Sequence, residues 1–319
     1  MTITGRQTTR ATLGRTRLRV SPVCVGTAAW GVASPVHGLV VSEEDAVATL
    51  RTAFDSSINF VDTSNNYGDG ESERRIGAAL AATPAPEGFV VQTKLDRDPL
   101  TGSFDADRML RSLEESLERL GMARLPLLYL HDPEHISFEQ AMADGGPVQT
   151  LIDIRDRGLV DHIGISGGPA SLLSRFVETD IFDALITHNR FTLVDHTADD
   201  LLTAASEAGL GVINAAVYGG GILTTWPRST DRYGYRTADP AVLAAIDAMG
   251  EACRREGVPL IAAALQSSTR DPRIHSTICG IVSPDQLAQT EALLDVPIPS
   301  ALWEELDSLR PDRSTWTND

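Results

Sequence analysis

The segment Phe60-Val61-Asp62-Thr63-Ser64-Asn65-Asn66-Tyr67-Gly68 joins a short apolar run to a single carboxylate and then to a tyrosine. Two later apolar runs end in a similar manner. One ends at Lys94, and the other ends at His131 and Asp132. An acid, a phenol, an amine and an imidazole therefore follow the ends of successive strand-like segments. This pattern predicts strands that carry chemically active groups at their carboxyl ends.

Outward from this segment, an alternation of apolar strand and amphipathic helix continues along the chain. Eight strands are predicted over 23–27, 59–63, 89–95, 125–131, 162–166, 182–188, 211–218 and 276–281. Helices are predicted from the cap at Ser42, over 71–82, 110–120, up to 157, and over 170–178, 198–208, 240–256, 260–267, 283–294 and 300–309. The strands are continuously apolar, as parallel strands buried on both faces should be.

Eight such units predict an α/β fold, a (β/α)8 TIM barrel that forms a single domain over 1–319. Two long segments, 29–41 and 219–239, each follow a predicted strand. In a parallel barrel the segments that follow strands lie at the C-terminal mouth, where such folds keep their sites. The polar groups at the strand ends are expected at the same mouth.

The composition argues against several classes of main partner. The chain has 319 residues and a net charge of −17, which disfavours nucleic acid and anionic membranes as partners. Cys24, Cys253 and Cys279 are too few and too widely spaced for a disulfide framework, so a reducing, cytoplasmic location is expected. No signal peptide or membrane-spanning run is evident, and no metal site is predicted.

The four polar groups suit proton transfer at an oxygen atom. Neighbouring parallel strands lie about 4.8 Å apart, so Asp62, Lys94 and His131 can share one space with Tyr67. We expect the Lys94 ammonium to lower the pKa of Tyr67 from its ordinary value of about 10. Tyr67 could then exchange a proton with an oxygen that His131 also contacts. This is the equipment for carbonyl–alcohol interconversion, which needs a hydride carrier.

With these four residues in this order, and with Glu71-Ser72-Glu73 following, the sequence resembles the aldo-keto reductase superfamily. The resemblance extends from Leu13-Gly14 to Leu309. It implies that Asp62, Tyr67, Lys94 and His131 are the catalytic tetrad. It also implies a nicotinamide cofactor bound across the barrel mouth without a Rossmann domain. In agreement, no Gly-x-Gly-x-x-Gly turn follows the first strand.

Three stretches, 130–133, 189–193 and 218–223, are similar to one branch of the superfamily. This branch contains the threo-aldose, fucose and galactose 1-dehydrogenases, with pyridoxal 4-dehydrogenase alongside. The resemblance implies oxidation of an aldose at C1 to a lactone, with Tyr67 as the acid/base. Aromatic side chains suit a sugar ring, and the predicted substrate contacts are Trp30, Trp226, Tyr233 and Tyr235. Trp226, Tyr233 and Tyr235 could instead pack against the barrel rim.

The resemblance also indicates where the cofactor binds. The carboxamide contacts of the family fall on Ser166, Gly167 and His188, where Gly167 replaces an asparagine and His188 a glutamine. The position of the tyrosine that stacks on the nicotinamide in many members is Ala215. The further predicted cofactor contacts are Gly26, Thr27, Val217, Tyr218, Gly219, Gly221, Gly280, Val282, Gln286 and Thr290. Glycines over 219–221 suit close approach of the backbone to phosphates.

The adenosine end favours NAD, with NADP possible as a second cofactor. NADPH-using relatives commonly carry an arginine where this chain has Val282. A 2′-phosphate needs a cationic partner, and the segment 280–294 contains no lysine or arginine. Asp285 and Glu291 make this segment acidic.

Other functions remain open at this point. The chain could be an NADPH-dependent aldehyde or ketone reductase, or a non-catalytic regulatory subunit that binds a cofactor. Lys94 could form a Schiff base, although a lyase would leave Tyr67 and His131 without a role. His131 and His135 have the spacing of helical metal ligands, but Pro133 interrupts that geometry. The expected partner is a small molecule: a sugar, an aldehyde or a related ring alcohol.

Overall fold

The computed structural model of the chain describes residues 10–31 and 41–317. Its strands are β1 (Ala11–Thr12), β2 (Arg19–Val20), β3 (Val23–Gly26), β4 (Phe60–Asp62), β5 (Val90–Leu95), β6 (Leu125–His131), β7 (Val160–Gly167), β8 (Ala184–His188), β9 (Gly211–Ala215), β10 (Arg232–Tyr233), β11 (Arg236–Thr237) and β12 (Ser276–Gly280). Eight of them close into a barrel in the order β12-β3-β4-β5-β6-β7-β8-β9. Every neighbouring pair in the barrel is parallel, so the predicted (β/α)8 architecture is confirmed.

The helices surround this barrel. They are α1 (Glu43–Phe54), α2 (Glu71–Ala82), α3 (Ala106–Leu120), α4 (Phe138–Ala141), α5 (Pro147–Asp156), α6 (Ala170–Val177), α7 (Asp199–Glu207), α8 (Pro240–Arg255), α9 (Leu260–Thr269), α10 (Pro284–Leu294) and α11 (Ser300–Ser308). The predicted caps are present: Ser42 accepts a hydrogen bond from the Asp45 backbone, and Gly121 ends α3 in the left-handed conformation. Within the described residues, no helix combines the length and the apolar character that a membrane crossing requires.

Two predicted elements are divided or cut short in the structure, and backbone conformation explains both. The helical stretch predicted up to residue 157 is split into α4 and α5, because Gly145 adopts φ 71° between them. The strand predicted over 211–218 ends at Ala215, because Ala216 adopts φ 60° and turns the chain. Most of the predicted excursion 29–41 lies outside the described residues.

The barrel has an inner and an outer core, because successive side chains of a strand point to opposite faces. The inner cluster contains alternate strand residues, among them Phe60, Leu127, Tyr129 and Ile186. The outer cluster packs the opposite strand faces against the helices. At Gly164 a Cβ atom would lie 2.4 Å from the Tyr129 ring, so glycine there makes room for this tyrosine.

A feature that the sequence analysis did not predict lies at the opposite end from the mouth. Strands β1 and β2 form a small antiparallel hairpin. Leu13, between them, is fully buried within the inner cluster beside the start of β9 at Gly211. The Arg15 backbone donates to Gly209 O at 3.0 Å. The hairpin therefore closes the N-terminal end of the barrel, at the end opposite the mouth.

Candidate active site

Strand ends bring the four predicted catalytic side chains together at the mouth. Asp62 ends β4, Lys94 is the second-last residue of β5, and His131 ends β6. Tyr67 lies on the loop between β4 and α2. Lys94 Nζ is 2.9 Å from Asp62 Oδ2 and 3.3 Å from Tyr67 Oη. The Tyr67 and His131 rings meet edge to face, with centroids 5.8 Å apart.

The Lys94 ammonium is buried and has a full set of partners. Its side chain is 2% exposed, and that of Asp62 is 3% exposed. Lys94 Nζ donates to Asp62 Oδ2, to Tyr67 Oη and, at 2.6 Å, to Thr63 O, which accounts for its three protons. Gln92 Nε2 donates to the other Asp62 oxygen at 2.8 Å. Although burial opposes the charge, Asp62 and Tyr67 raise the pKa of Lys94 above its ordinary value. Lys94 is therefore a permanent cation.

The predicted lowering of the Tyr67 pKa was wrong in its sign. Burial raises the pKa of this phenol above its ordinary value, and the Asp62 and Asp132 carboxylates raise it further. Lys94 lowers it through its charge and hydrogen bond, but by less than burial raises it. The sequence showed the ammonium but not how strongly the assembled mouth shields the half-buried phenol from water. Tyr67 is therefore a neutral phenol at neutral pH, ready to donate a proton.

His131 contacts a carboxylate that was not predicted from the sequence. His131 Nδ1 lies 2.7 Å from Asp96 Oδ1 and 3.0 Å from Ser64 Oγ. Ser64 Oγ also donates a short hydrogen bond to Asp96 Oδ2, which in addition accepts from the Asn66 backbone at 2.9 Å. Burial lowers the pKa of His131, but the Asp96 and Asp132 carboxylates outweigh it and raise that pKa above its ordinary value.

Gln92 and Asp96 were not predicted as site residues, but the alternation of side chains along a strand could have identified both. Gln92, Lys94 and Asp96 are two residues apart and so point to the same side of β5 and its extension. Gln92 reaches Asp62, Lys94 reaches Tyr67, and Asp96 reaches His131. Thr93 points to the other side, where it donates to Glu73 of α2. Alternation through Lys94 could therefore have identified both neighbours.

A third carboxylate, Asp132, lies between two imidazoles. Its Oδ1 is 3.6 Å from His131 Nε2 and 3.6 Å from His188 Nε2. Burial raises the pKa of Asp132, but both histidines lower it, and its net pKa falls below the ordinary value. A carboxylate oxygen of Asp132, a carboxylate oxygen of Glu134 and a ring nitrogen of His188 also lie within 4.8 Å of one another. This grouping was not predicted from the sequence. Asp132 thus connects the tetrad to the opposite wall of the mouth.

These groups face a cavity of about 530 Å³ at the mouth. The four tetrad residues line it together with Asp132. Eight of the predicted cofactor contacts also line it: Gly26, Ser166, His188, Tyr218, Gly221, Gly280, Val282 and Gln286. Gly220, from the predicted glycine segment 219–221, lines it too. Asn189, Ala216 and Thr224 line it as well, although they were not predicted.

Five predicted cofactor contacts do not line the cavity, because each is engaged elsewhere. Thr27 Oγ1 donates to Asp62 O, and Thr290 Oγ1 donates to Gln286 O. Val217 is fully buried in the outer core. Gly167 lies against Pro133 and Glu134, and Gly219 lies against the Tyr233 ring.

Of the four aromatic residues predicted to contact substrate, only Tyr235 lines the cavity. Trp30 is fully buried, and its indole donates to Ile281 O at 2.7 Å. The Tyr233 hydroxyl lies 2.8 Å from Thr192 Oγ1, and its ring packs within a hydrophobic cluster. Trp226 lines a separate surface depression beside Gly250. These three side chains therefore lie outside the cavity, with Trp30 and Tyr233 buried and Trp226 half-buried against Gly250.

The cavity fits a nicotinamide cofactor at two points. Among the described residues, no hydrogen-bond donor reaches the buried Oδ1 atoms of Asp132 and Asn189. Two unpaired acceptors on one wall suit a ligand with N–H or O–H groups, such as a carboxamide or a polyol. Gly221 has φ 103°, and no atom lies within 4 Å of where its Cβ would stand. The backbone at Gly221 is therefore open to a phosphate.

A parallel barrel with this tetrad at its mouth defines an oxidoreductase that acts on carbonyl or hydroxyl groups. The chain belongs to the aldo/keto reductase family, whose model matches residues 22–311. The family uses nicotinamide cofactors, generally NADP.

Named relatives cover most of the chain. It is 33% identical to D-threo-aldose 1-dehydrogenase of a Pseudomonas species, over 85% of this chain and 89% of the relative. It is 32% identical to L-galactose dehydrogenase of Arabidopsis thaliana, over 95% of this chain and 90% of the relative. A putative aldo-keto reductase of Pseudomonas aeruginosa has a solved structure that superposes with a TM-score of 0.68 at 22% identity, covering 92% of this chain and 98% of that one. This last likeness concerns the fold alone.

Proposed function

We propose that this chain is an NAD-dependent dehydrogenase that oxidises an uncharged aldose at C1 to a lactone, through a single barrel domain. The observation that carries the proposal is the contact of 3.3 Å between Tyr67 Oη and Lys94 Nζ on the cavity wall. Two relatives named as sugar dehydrogenases support the substrate class. The buried, unpaired cysteines Cys24, Cys253 and Cys279 suit a reducing cytoplasm.

The charges on the cavity wall favour an uncharged substrate. Among the described residues that line it, Lys94 is the only lysine or arginine, and its three protons are already engaged. Asp62 and Asp132 lie on the same wall. A phosphorylated or carboxylated sugar would lack a cationic partner and would meet these carboxylates. A polyol, in contrast, can donate its hydroxyls to the unpaired oxygens of Asp132 and Asn189.

The protein's part in the reaction is to move a proton and to hold the reacting oxygen. A bound nicotinamide ring supplies the hydride acceptor in oxidation and the hydride donor in reduction. Tyr67 exchanges the proton of the reacting oxygen, and Lys94 favours the phenolate form of Tyr67. Asp62 keeps Lys94 charged and in place. His131 faces the same space and contacts the same oxygen.

Val282 and Gln286 line the end of the cavity where an adenosine would bind, and no described arginine lines it. We therefore propose NAD as the preferred cofactor, although NADP is usual in the family. NADP would be bound without a partner for its 2′-phosphate.

One observation favours a second candidate function, an aldehyde or ketone reductase. Burial raises the pKa of Tyr67 above the ordinary value. A neutral phenol donates a proton, which is the role required when a carbonyl is reduced. The dehydrogenase needs the opposite transfer, so the two candidates differ in the direction that proceeds faster near neutral pH.

A substrate screen with both cofactors tests the proposal. Neutral aldoses, sugar phosphates, uronic acids and simple aldehydes are incubated with NAD or NADP, or with the reduced forms, and NADH or NADPH absorbance is followed. We expect oxidation of neutral aldoses, with kcat/KM about tenfold or more higher for NAD than for NADP. Faster turnover of sugar phosphates, or a tenfold preference for NADP, would contradict the proposal. Reduction of aldehydes alone would support the second candidate.

Substitution of Tyr67 by phenylalanine tests the role of its hydroxyl. Tyr67→Phe should lower kcat by about a hundredfold or more and leave the Kd for NAD nearly unchanged. Tyr129→Phe is the matched control, because Tyr129 is buried in the barrel below the site and its hydroxyl has no partner among the described residues. The control should retain full activity. Equal activity in the two variants would remove Tyr67 from the proposed role.

A further inference from the structure

The Asp96 carboxylate lies behind His131, on the side away from the cavity. Asp96 is 6% exposed, and its oxygens contact His131 Nδ1, Ser64 Oγ and the Asn66 backbone. Its own backbone is fixed by α3, since Ser112 Oγ accepts from Asp96 N at 3.0 Å and Arg108 Nε donates to Asp96 O at 2.9 Å. The carboxylate is therefore held from both sides, and the tetrad described above does not include it.

This geometry determines which nitrogen of His131 carries a hydrogen. An ionised carboxylate can only accept, so the 2.7 Å contact from Asp96 Oδ1 requires the hydrogen on Nδ1. Ser64 does not donate to Nδ1 instead, because its hydroxyl hydrogen already points to Asp96 Oδ2. Nε2 then faces the cavity. It accepts a hydrogen bond when the ring is neutral and donates one when the ring is protonated.

We propose that Asp96 is a positioning residue that holds His131 in its Nδ1–H form, so that Nε2 is presented to the reacting oxygen. The proposal rests on the proposed oxidoreductase function and extends it. Tyr67 exchanges the proton of that oxygen, and His131 orients the oxygen for the transfer. In oxidation the unprotonated Nε2 of neutral His131 accepts a hydrogen bond from the substrate hydroxyl. A protonated ring would present an N–H to that hydroxyl instead, so oxidation needs the neutral ring.

The charged and titratable groups around His131 come from four elements. Asp96 and Lys94 lie on β5 and its extension, Tyr67 lies on the loop after β4, and Asp132 directly follows β6. His188, at the end of β8, shares Asp132 with His131. The two carboxylates raise the His131 pKa, whereas burial and Lys94 lower it. Of these groups, Asp96 makes the shortest contact and is the only one behind the ring.

Nuclear magnetic resonance of the histidine ring nitrogens tests the proposal without any assay of turnover. The chain has 7 histidines, and His131→Gln identifies the relevant signals. Above its pKa, wild-type His131 should be in the Nδ1–H form, and its pKa should exceed the ordinary value of about 6.5. A ring in the Nε2–H form would overturn the proposal. Because this measurement needs no substrate, it stays decisive if the dehydrogenase proposal fails.

Asp96→Asn tests the role of the charge. We expect the His131 pKa to fall by about one unit or more, and the pH at which oxidation reaches half its maximal kcat to fall equally. KM should change little. Asp107→Asn, an exposed carboxylate on α3 with the same change of charge, is the matched control and should shift neither value. If Asp96→Asn lowers kcat equally at every pH and leaves the His131 pKa unchanged, Asp96 is only structural and the proposal is wrong.

If Asp96→Asn does not fold, Ser64→Ala replaces it. This variant removes the hydroxyl that bonds Asp96 Oδ2 but keeps both the carboxylate and the ring. Because the carboxylate loses one of the donors that offset its charge, it should attract the imidazolium more strongly, so the His131 pKa should rise while the ring keeps its Nδ1–H form. Signals identical to those of the wild type would count against the proposal.

Discussion

Lys94 illustrates how a buried charge serves a site at a cost in stability. Removing an ammonium and a carboxylate from water is unfavourable, and their attraction compensates only when every hydrogen-bonding group is matched. Here the ammonium has three acceptors, and Asp62 has Lys94 on one oxygen and Gln92 on the other. The pair is therefore satisfied, but it is not a source of large net stability. Its value lies in the fixed charge beside Tyr67.

A satisfied but weakly stabilising ion pair predicts that replacing Lys94 alone lowers the free energy of unfolding more than replacing Lys94 and Asp62 together. Lys94→Met leaves Asp62 buried without its partner and should reduce the free energy of unfolding by about 3–5 kcal/mol. Asp62→Asn combined with Lys94→Met should recover at least half of that loss, because no unpaired charge remains. Urea titration of the double variant and of both single variants, Lys94→Met and Asp62→Asn, measures the difference. A double variant as unstable as the sum of the two single variants would show that the residues stabilise the fold independently.

Asp96 and His131 predict a pH window of stability. The Asp96 pKa is below its ordinary value, because His131 and the hydrogen bonds outweigh burial. Its contribution is present above about pH 3.9 and is lost as the pH falls through the folded value. The His131 pKa is raised, so its contribution is complete below about pH 6.5 and is lost as the pH rises through the folded value. Their attraction is therefore strongest between these limits.

Asp96→Asn should accordingly destabilise the protein most between about pH 4 and 6.5, by about 1–2 kcal/mol, and much less at pH 9. Thermal unfolding of the variant and the wild type across this range measures the difference. Asp107→Asn provides the baseline. A difference that does not vary with pH would mean that Asp96 contributes through packing alone.

At the scale of elements, the hairpin of β10 and β11 places an aromatic side chain over the cavity. Its two turn residues, Gly234 and Tyr235, have φ 53° and 69°, as in a type I′ turn. Glycine suits this conformation, but a tyrosine with positive φ is strained. Ala216, Asn189 and Asp132 also have positive φ and also line the cavity. Strain that collects around one cavity is typical of a functional site.

Tyr235→Asn distinguishes two possible roles of the Tyr235 ring, stacking on substrate and packing against the barrel rim. Asparagine tolerates positive φ, so the loss of buried ring surface should be partly offset and stability should change by less than about 1 kcal/mol. If the ring stacks on substrate, KM should rise about tenfold while kcat changes little. Steady-state kinetics and thermal unfolding test this expectation. A marked loss of stability with an unchanged KM would show that Tyr235 packs against the rim, as Tyr233 does.

The elements also show what a sequence can and cannot predict. Every barrel strand was predicted, because apolar runs ending in polar residues are strong signals and parallel strands need them. The hairpins β1–β2 and β10–β11 were missed, because strands of two residues carry no readable period. Asp62, Lys94 and His131 were predicted from strand ends, but Asp96 was not, because it lies just past the end of the predicted strand 89–95. The Tyr67 pKa was mispredicted because burial is a property of the assembled barrel.

At the scale of the whole molecule, the two ends of the barrel have different roles. The mouth carries the cavity, the buried charges and the strained turns. The opposite end carries the hairpin of β1 and β2, which packs Leu13 against the start of β9. Substitutions at this end should therefore change stability without changing the site. The separation is expected for parallel barrels, whose sites lie at the carboxyl ends of the strands.

Leu13→Ala tests this separation. Leu13 is fully buried and closes the inner core, so its truncation should reduce the free energy of unfolding by about 3 kcal/mol through lost burial and a cavity. KM and kcat should stay within about twofold of the wild type well below the unfolding temperature, because the tetrad lies at the other end of the strands. Leu100→Ala makes the same chemical change at a leucine that is 94% exposed, and it should leave stability unchanged. A fall in kcat for Leu13→Ala under conditions where the variant is fully folded would mean that the β1–β2 hairpin and the mouth are coupled. The coupling would pass through the barrel interior, where Tyr129 lies between them.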